Sequence, residues 1–550
     1  MRFENLSGDS GSDWEGRALS ELLKNRFGAD RTPRTASPAP GISTERSGAI
    51  ANGATRIITG YYTIQNGRMQ VRAVAEDVLS GKIGQSLYAE GGVFRSAAIL
   101  GDGFGAPAAQ PPTTNTRAIE EYALASDASG QRAEEHYALS IAADPNFSPA
   151  YLGLVRTAAA AGDLATVDRT LAAASARGQR LNPQDRAYLL LEASRRDPAR
   201  RVEALRAIAN VNPRDVDSLR ALGDAEFAAH KPREAVEQYS RAVALAPSNP
   251  DLRNLLAYAQ MFSGNASGAL AAVAEYRRLK PEDPNGFDSE GDIQFYFGHL
   301  AESQKAYLAA ADLNPTFQDG FDLWKAARVR FMAEGAAVKS PLFDRYIETM
   351  KKLGSPWIAY KTAEWQYLNG NQGLAVKTMT DAADSASQPV VRSACYAQAA
   401  LWAVIARDFP HAITWSEKAL HPPLPSTVVP AALARFLAQP PVSPAEWQAR
   451  ANRSFSGPAA SEVRRLALGY SLLLDGRFQE AVPVWKEIYG ASSPNDFGPR
   501  YLYAWALLKT GNTAVAEPLL QGNPIPAPGA TPSLEPLYFP ALLDWRRGKI

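Results

Sequence analysis

Residues 216–249 read VDSLRALGDAEFAAHKPREAVEQYSRAVALAPSN, and this stretch decides the fold. Leu222-Gly223 sits midway along a first helix, a turn follows near His230-Lys231-Pro232, and a second helix carries Ala235, Tyr239 and Ala242. Prolines 213, 247, 281 and 315 follow one another at a fixed 34-residue interval. A proline cannot donate its amide and restricts the residue before it, so each one ends a second helix. A fixed period of this length predicts stacked helix pairs rather than one closed core.

The residues between the prolines keep the phase. One period on come Leu256-Ala257, Gly264-Asn265, Ala269 and Val273, and the next gives Gly291, Gly298-His299, Tyr307 and Ala310. Small residues (Gly223, Ala257, Gly291, Ala235, Ala269) let neighbouring helices approach, and large ones (Tyr239, Val273, Tyr307) fill the spaces between them. Upstream, Ala133, Tyr137 and Pro145 mark one unit, and Tyr151 with Gly162-Asp163 marks the next. Downstream units are marked by Gly370-Asn371 with Ala375, by Phe409 with Ala412, by Leu468-Gly469 with Gly476, Phe478, Ala481 and Trp485, and by Ala504, Gly511-Asn512 and Ala516.

About ten pairs are expected, well above the three or so a stable array needs. The unit over 182–213 is poorer, because Arg201 stands where a small residue belongs. Residues 318–355 and 427–461 read as irregular, with Pro422, Pro423, Pro425, Pro430, Pro440, Pro441 and Pro444 breaking the rhythm around the second. The pattern resembles the tetratricopeptide repeat family over roughly residues 114–550. The first-helix Trp of many members is replaced by Leu219, Tyr151 or Phe287. The resemblance implies a mainly α chain, a right-handed α-solenoid that binds a protein partner without catalysing a reaction. It divides into a regular array over 114–317, degenerate repeats over 318–461 and carboxy-terminal units over 462–550.

Residues 1–90 read differently, as a small α/β domain. Asp13 to Phe27 is an amphipathic helix with Ala18, Leu19, Leu22, Leu23 and Phe27 on one face. Arg56–Gln65 and a run from Met69 to Leu79 are β-rich and joined at Asn66-Gly67, a strong hairpin signal. Residues 91–113 are rich in Gly, Ala and Pro and read as a linker. Phe3-Glu4-Asn5-Leu6-Ser7-Gly8-Asp9, Gly60, Val71-Arg72-Ala73-Val74 and Ser80-Gly81-Lys82 resemble the TolB-like amino-terminal domain of bacteria. So does the junction Pro111-Pro112-Thr113-Thr114-Asn115 with Glu121-Tyr122. The family has an apolar strand before its Phe-Glu-Asn-Leu motif, whereas only Met1 and Arg2 precede it here, so the first strand reads as clipped. No propeller follows, so the transport role of the family's namesake is not implied. The resemblance does imply an alternative function, the sensor or regulatory half of a bacterial serine/threonine kinase or cyclase system acting in trans, with a signalling kinase as partner.

Charge and composition narrow the functions. The 58 basic and 57 acidic residues leave a net charge of +1, without the basic excess or stripe of a nucleic-acid binder. The single cysteine, Cys395, allows no intrachain disulfide and reads as a buried structural thiol. The apolar run Ala394 to Ala406 is too short for a membrane span and reads as a buried repeat helix. The amino terminus shows no signal-peptide core, which favours the cytoplasm, with the periplasm open if the chain is part of a longer parent.

Several fragments imitate catalytic motifs without their companions. Asp496-Phe497-Gly498 lacks a kinase catalytic loop, and Gly8-Asp9-Ser10-Gly11 lacks a triad in the required order. In Gly101-Asp102-Gly103-Phe104-Gly105-Ala106, Pro107 follows where a nucleotide-binding helix should open, and Ser80-Gly81-Lys82 lacks the rest of a phosphate loop. The histidines His136, His230, His299, His411 and His421 show no metal-ligand spacing, and His230 and His299 sit at inter-helix turns and read as solvated. No carboxylate pair stands out as an acid/base couple. No metal, cofactor or catalytic residue is therefore expected.

A partner peptide or helix is expected on the concave face lined by first helices. The phase places there Asp217, Arg220, Asp224 and Phe227, then Asn254, Tyr258, Met261 and Phe262, then Asp288, Asp292, Phe295 and Tyr296. Aromatics beside acids suit an extended or helical segment of basic or apolar character. Gly223 and Gly291 are expected at helix contacts, and Tyr258 and Phe295 on the groove.

Overall fold

The computed structural model describes residues 2–27, 56–77, 80–106, 110–195, 197–334, 340–439, 444–455, 460–492 and 497–520. Leu79, Pro107, Pro440, Pro441, Asp496 and residues 521–550, all used above, lie outside them. The chain divides into two compact units, Met1–Ala225 and Glu226–Ile550.

The first unit begins with a four-stranded sheet in the order β1 (Arg2–Asn5), β2 (Arg56–Gln65), β3 (Arg68–Asp77), β4 (Ile83–Gly91). β1 runs parallel to β2, with Phe3 opposite Gly60, and the remaining neighbours are antiparallel. The β2–β3 turn is Asn66-Gly67, both at positive φ (50° and 71°), the geometry that matches the twist of a two-residue hairpin. β3 alternates as its sequence dictates, burying Met69, Val71, Ala73 and Ala75 on one face. Helix α1 (Asp13–Phe27) lays Ala18, Leu19, Leu22, Leu23 and Phe27 in the same core.

The stretch expected as a linker holds a second helix, α2 (Val93–Gly103). Val93, Ala97 and Leu100 form its buried stripe, and its glycines serve close approach rather than flexibility. A Cβ on Gly103 would stand 2.5 Å from Leu87 of β4. Asp102, at the end of α2, pairs with Arg26 of α1 at 2.5 Å. Small residues hid an amphipathic helix.

Helix pairs follow without interruption. In the first unit they are α3 (Thr116–Asp127) with α4 (Gln131–Ala143), α5 (Ser148–Ala161) with α6 (Leu164–Arg177), and α7 (Pro183–Ala193) with α8 (Pro198–Val211). Helix α9 (Val216–Ala228) crosses the boundary and is followed in sequence by α10 (Pro232–Leu245). The second unit is an α-solenoid of paired helices. It continues with α11 (Pro250–Phe262), α12 (Ala266–Leu279), α13 (Asn285–Tyr296), α14 (Leu300–Leu313), α15 (Phe321–Glu334), α16 (Pro341–Lys352), α17 (Ile358–Leu368) and α18 (Gln372–Ser385). It ends with α19 (Pro389–Ile405), α20 (Phe409–Ala419), α21 (Val428–Leu437), α22 (Pro444–Ser454), α23 (Ala460–Leu474), α24 (Phe478–Ala491), α25 (Phe497–Lys509) and α26 (Thr513–Leu520).

The described residues thus hold twelve pairs, because both irregular stretches form pairs too, α15–α16 and α21–α22. In the poorer unit Arg201 is turned outward and Val202 beside it is buried. The pairing rule is visible in three dimensions. Gly291 faces Tyr307 and Gly469 faces Trp485, each sixteen residues on, while Ala257 stands in the same register with the smaller Val273. Size is conserved across the contact, as close packing demands.

Candidate partner-binding face

On a helix, residues four apart share a face, so each first helix carries two different stripes. On α13, Gly291 and Phe295 form one and Asp288, Asp292 and Tyr296 the other. Gly291 faces Tyr307, and Phe295 on the same stripe is 1% exposed inside the core. Met261, 34 residues earlier, is 3% exposed. The expectation that Phe295 and Met261 line the groove is therefore corrected: both are packing residues. That Phe295 lies one turn from Gly291 is the reason, since one turn returns the chain to the same face.

The other stripe is half-buried at Asp292 and Tyr296 and aromatic at that end, whereas Asp288, expected on the groove, is only 4% exposed and is corrected to an interior residue. Phe227, Phe262 and Tyr296, one from each successive first helix, pack edge to face with ring centroids 5.3 and 5.4 Å apart. Phe297 extends the ladder at 5.2 Å from Tyr296. Such edge-to-face pairs are favourable beyond the area they bury. Asn254, half-buried on α11, has its side-chain oxygen buried without a donor among the described residues. Arg220 and Asp224, on the part of α9 that belongs to the first unit, are exposed and lie 3.8 Å apart as an i, i+4 pair. Asp217 is exposed on the same helix.

Tyr258 and Asp292 belong to a polar knot. Tyr258 donates to Asp292 Oδ2 at 2.8 Å, and Tyr307 donates to Asp292 Oδ1 at 2.7 Å. Lys325 of α15 donates to Asp288 Oδ1 at 2.5 Å and to Asp292 Oδ1 at 3.0 Å. Burial works against the Lys325 ammonium, but Asp292 and Asp288 outweigh it and hold its pKa above the ordinary lysine value. Burial, reinforced by the charge of Asp288 and a hydrogen bond to it, pushes the Asp322 carboxyl up to about 9. Among the described residues neither Asp322 oxygen meets a donor, and the raised pKa favours its protonated form beside Asp288. Sequence reading saw no carboxylate couple, yet a signal existed. Asp288 and Asp322 are one 34-residue period apart and therefore stack in adjacent units. Lys325 was hidden because it takes, one period after Gly291, a position otherwise held by small residues.

Asp9 caps the short turn over Ser10–Ser12, accepting from Gly11 N at 2.9 Å. Gly81 N bonds Asp77 O at 2.8 Å in the strand-end turn that imitated a phosphate loop. His136 Nδ1 lies 2.6 Å from Glu121. His230, expected in solvent, is half-buried and reaches the carbonyl of Ser492 at 2.7 Å, which corrects that reading. Cys395 is buried, and burial pushes its thiol up to about 12, far from a reactive thiolate. Among the described residues no group of His, Cys, Asp or Glu is placed to hold a metal ion, and no helix is long and apolar enough to cross a membrane.

Residues 226–288, which carry most of the ladder, match the family model for the tetratricopeptide repeat. Over that stretch the chain carries a tetratricopeptide repeat. No curated protein matches it. Among solved structures, a crystal structure of MamA is similar at 16% identity over 31% of this chain and 94% of that one, with a TM-score of 0.26. YrrB, described as a tetratricopeptide protein with an unusual peptide-binding site, is similar at 14% identity over 42% of this chain and 99% of its own, with a TM-score of 0.25. Yeast Tom70 is similar at 12% identity over 72% of this chain and 87% of its own, with a TM-score of 0.34.

Proposed function

We propose that this chain is a non-catalytic protein-interaction scaffold whose partner, a peptide or helix, lies along the aromatic ladder of the central tetratricopeptide repeats. The observation that carries the reading is the Phe227–Phe262–Tyr296 ladder. Three half-buried rings on successive units give a row of apolar footholds, whereas Phe295 and Met261 on the other stripe are spent on packing. Rigid aromatic anchors in a partly desolvated row are the residues that dominate binding energy at interfaces. The groove residues that remain on this reading are Phe227, Asn254, Phe262 and Tyr296.

The test is affinity enrichment with the full chain and with Phe262→Ala, followed by mass spectrometry. Partners retained by the parent and lost by the variant support the reading. An identical set on both columns refutes it. The resemblance of Phe3-Glu4-Asn5-Leu6 and its surroundings to TolB-like domains supports a second reading, regulation of a kinase or cyclase in trans. A kinase among the partners lost by the variant would favour it.

A further inference from the structure

The turns at Gly162, His230, Gly264, Gly298, Gly370, Arg407, Gly476 and Gly511, each inside a helix pair, share one backbone shape. The N–H of the turn residue bonds the carbonyl three positions back, and the next N–H bonds the carbonyl five back from itself. That shape puts the turn residue in the left-handed region, and glycine fills it at Gly162, Gly264, Gly298, Gly370, Gly476 and Gly511. Two units break the pattern with a side chain in the same strained conformation, His230 (φ 57°) and Arg407 (φ 61°).

Both exceptions make the same kind of contact. His230 Nε2–H donates to the carbonyl of Ser492, just beyond α24, at 2.7 Å, and Arg407 Nη2 donates to the carbonyl of Leu474, the last residue of α23, at 2.7 Å. Each satisfies a carbonyl at a helix end that lacks an intrahelical partner. The His230 ring also packs against Tyr489 of α24, with centroids 4.9 Å apart. A second anchor lies at the far end of the ladder. Arg500 of α25, held by the Pro518 carbonyl at 2.9 Å, places its guanidinium 5.8 Å from the Tyr296 ring. Tyr489 and Tyr503 stack between these points at 6.1 Å.

From these contacts we infer that α24 and α25, adjacent helices of two successive pairs, form an internal latch on the aromatic ladder, so that a partner gains full access only when the latch opens. The ladder runs between the two anchors: Phe227 accepts the turn hydrogen bond of His230 at one end, and Tyr296 meets Arg500 at the other. A strained histidine where the next two units use Gly264 and Gly298 is then explained by what its ring holds. The inference rests on the ladder being the partner-binding face.

The test uses His230→Gly and His230→Asn in the full chain. Both residues tolerate the left-handed turn, and neither reaches Ser492. Hydrogen exchange of the amides at the carboxyl end of α24 and the start of α25 should quicken on the order of tenfold in both variants, with α9 and α10 unchanged. No change in either variant overturns the latch, and quickening in the glycine variant alone reassigns the effect to chain flexibility and also overturns it. A ladder-dependent partner should bind the asparagine variant about fivefold more tightly or better, and equal affinity overturns the gating. Faster exchange with no ladder-dependent partner at all refutes the scaffold reading while leaving the intramolecular contact in place.

Discussion

Gly291→Ala isolates the rule that organises the array. A Cβ at this position would lie 2.5 Å from both Cδ1 and Cε1 of Tyr307, about an ångström inside ordinary contact. Tyr307 cannot swing aside. It is fully buried, its hydroxyl is tied to Asp292 at 2.7 Å, and the Lys325 ammonium sits 5.0 Å from its ring centroid. Alanine favours a helix interior over glycine by about 1 kcal/mol, so propensity alone predicts stabilisation. Overpacking of a filled core costs about 1–3 kcal/mol, so packing wins or at least cancels the gain. The neighbouring unit supplies the control, since it pairs Ala257 with Val273 in the same register. Tyr307→Val should be costly by itself, because it removes a buried ring and a bond to Asp292. In that background, however, Gly291→Ala should become neutral or stabilising, giving a coupling of about 1–2 kcal/mol. Hydrogen exchange of α13 and α14 is the suitable assay, because a long array does not unfold in one step and local opening is the quantity that changes. Additive effects in the double variant would refute the steric argument.

Three further outcomes follow from the same packing. Phe295→Ala should destabilise α13 and α14 by about 3–5 kcal/mol by exchange, as truncation of a buried aromatic does, whereas Phe262→Ala should leave them within about 1 kcal/mol of the parent. Asp322 binds a proton in the folded chain up to about pH 9 but in the unfolded chain only to about pH 4, so its stabilising contribution is complete below the lower value and is lost as pH rises through the upper one. Urea midpoints of α13–α15 followed by exchange should therefore fall between pH 6 and 9.5, and Asp322→Asn should flatten that slope; an unchanged slope would remove Asp322 from the account. Tyr258→Phe deletes one donor to Asp292 and should cost about 1 kcal/mol locally, with Tyr307 and Lys325 still holding the carboxylate.

The helix pairs were legible because close packing writes itself into sequence as size alternation at a fixed period. Gly291 with Tyr307 and Gly469 with Trp485 could be placed from spacing alone. The hairpin at Asn66-Gly67 and the buried face of Asp13–Phe27 were legible for the same local reason. Three things were not. Helix α2 was masked because Gly101 and Gly103 look like flexibility when they serve contact. Phe295 was misassigned because a 34-residue phase identifies equivalent positions without saying which stripe meets the partner helix; only the four-residue return to Gly291 decides that. His230 was misread because its contact lies 262 residues away, at Ser492, and no local pattern encodes such a distance.

A photo-reactive phenylalanine analogue at position 262 of the full chain tests directly whether a partner lies along the ladder. On irradiation in cell extract it should capture a discrete set of proteins that the same analogue at exposed Glu302 does not, and a ladder peptide derived from them should compete the capture away. Identical products from positions 262 and 302, or none at 262, would contradict the claim that this face is where the protein does its work.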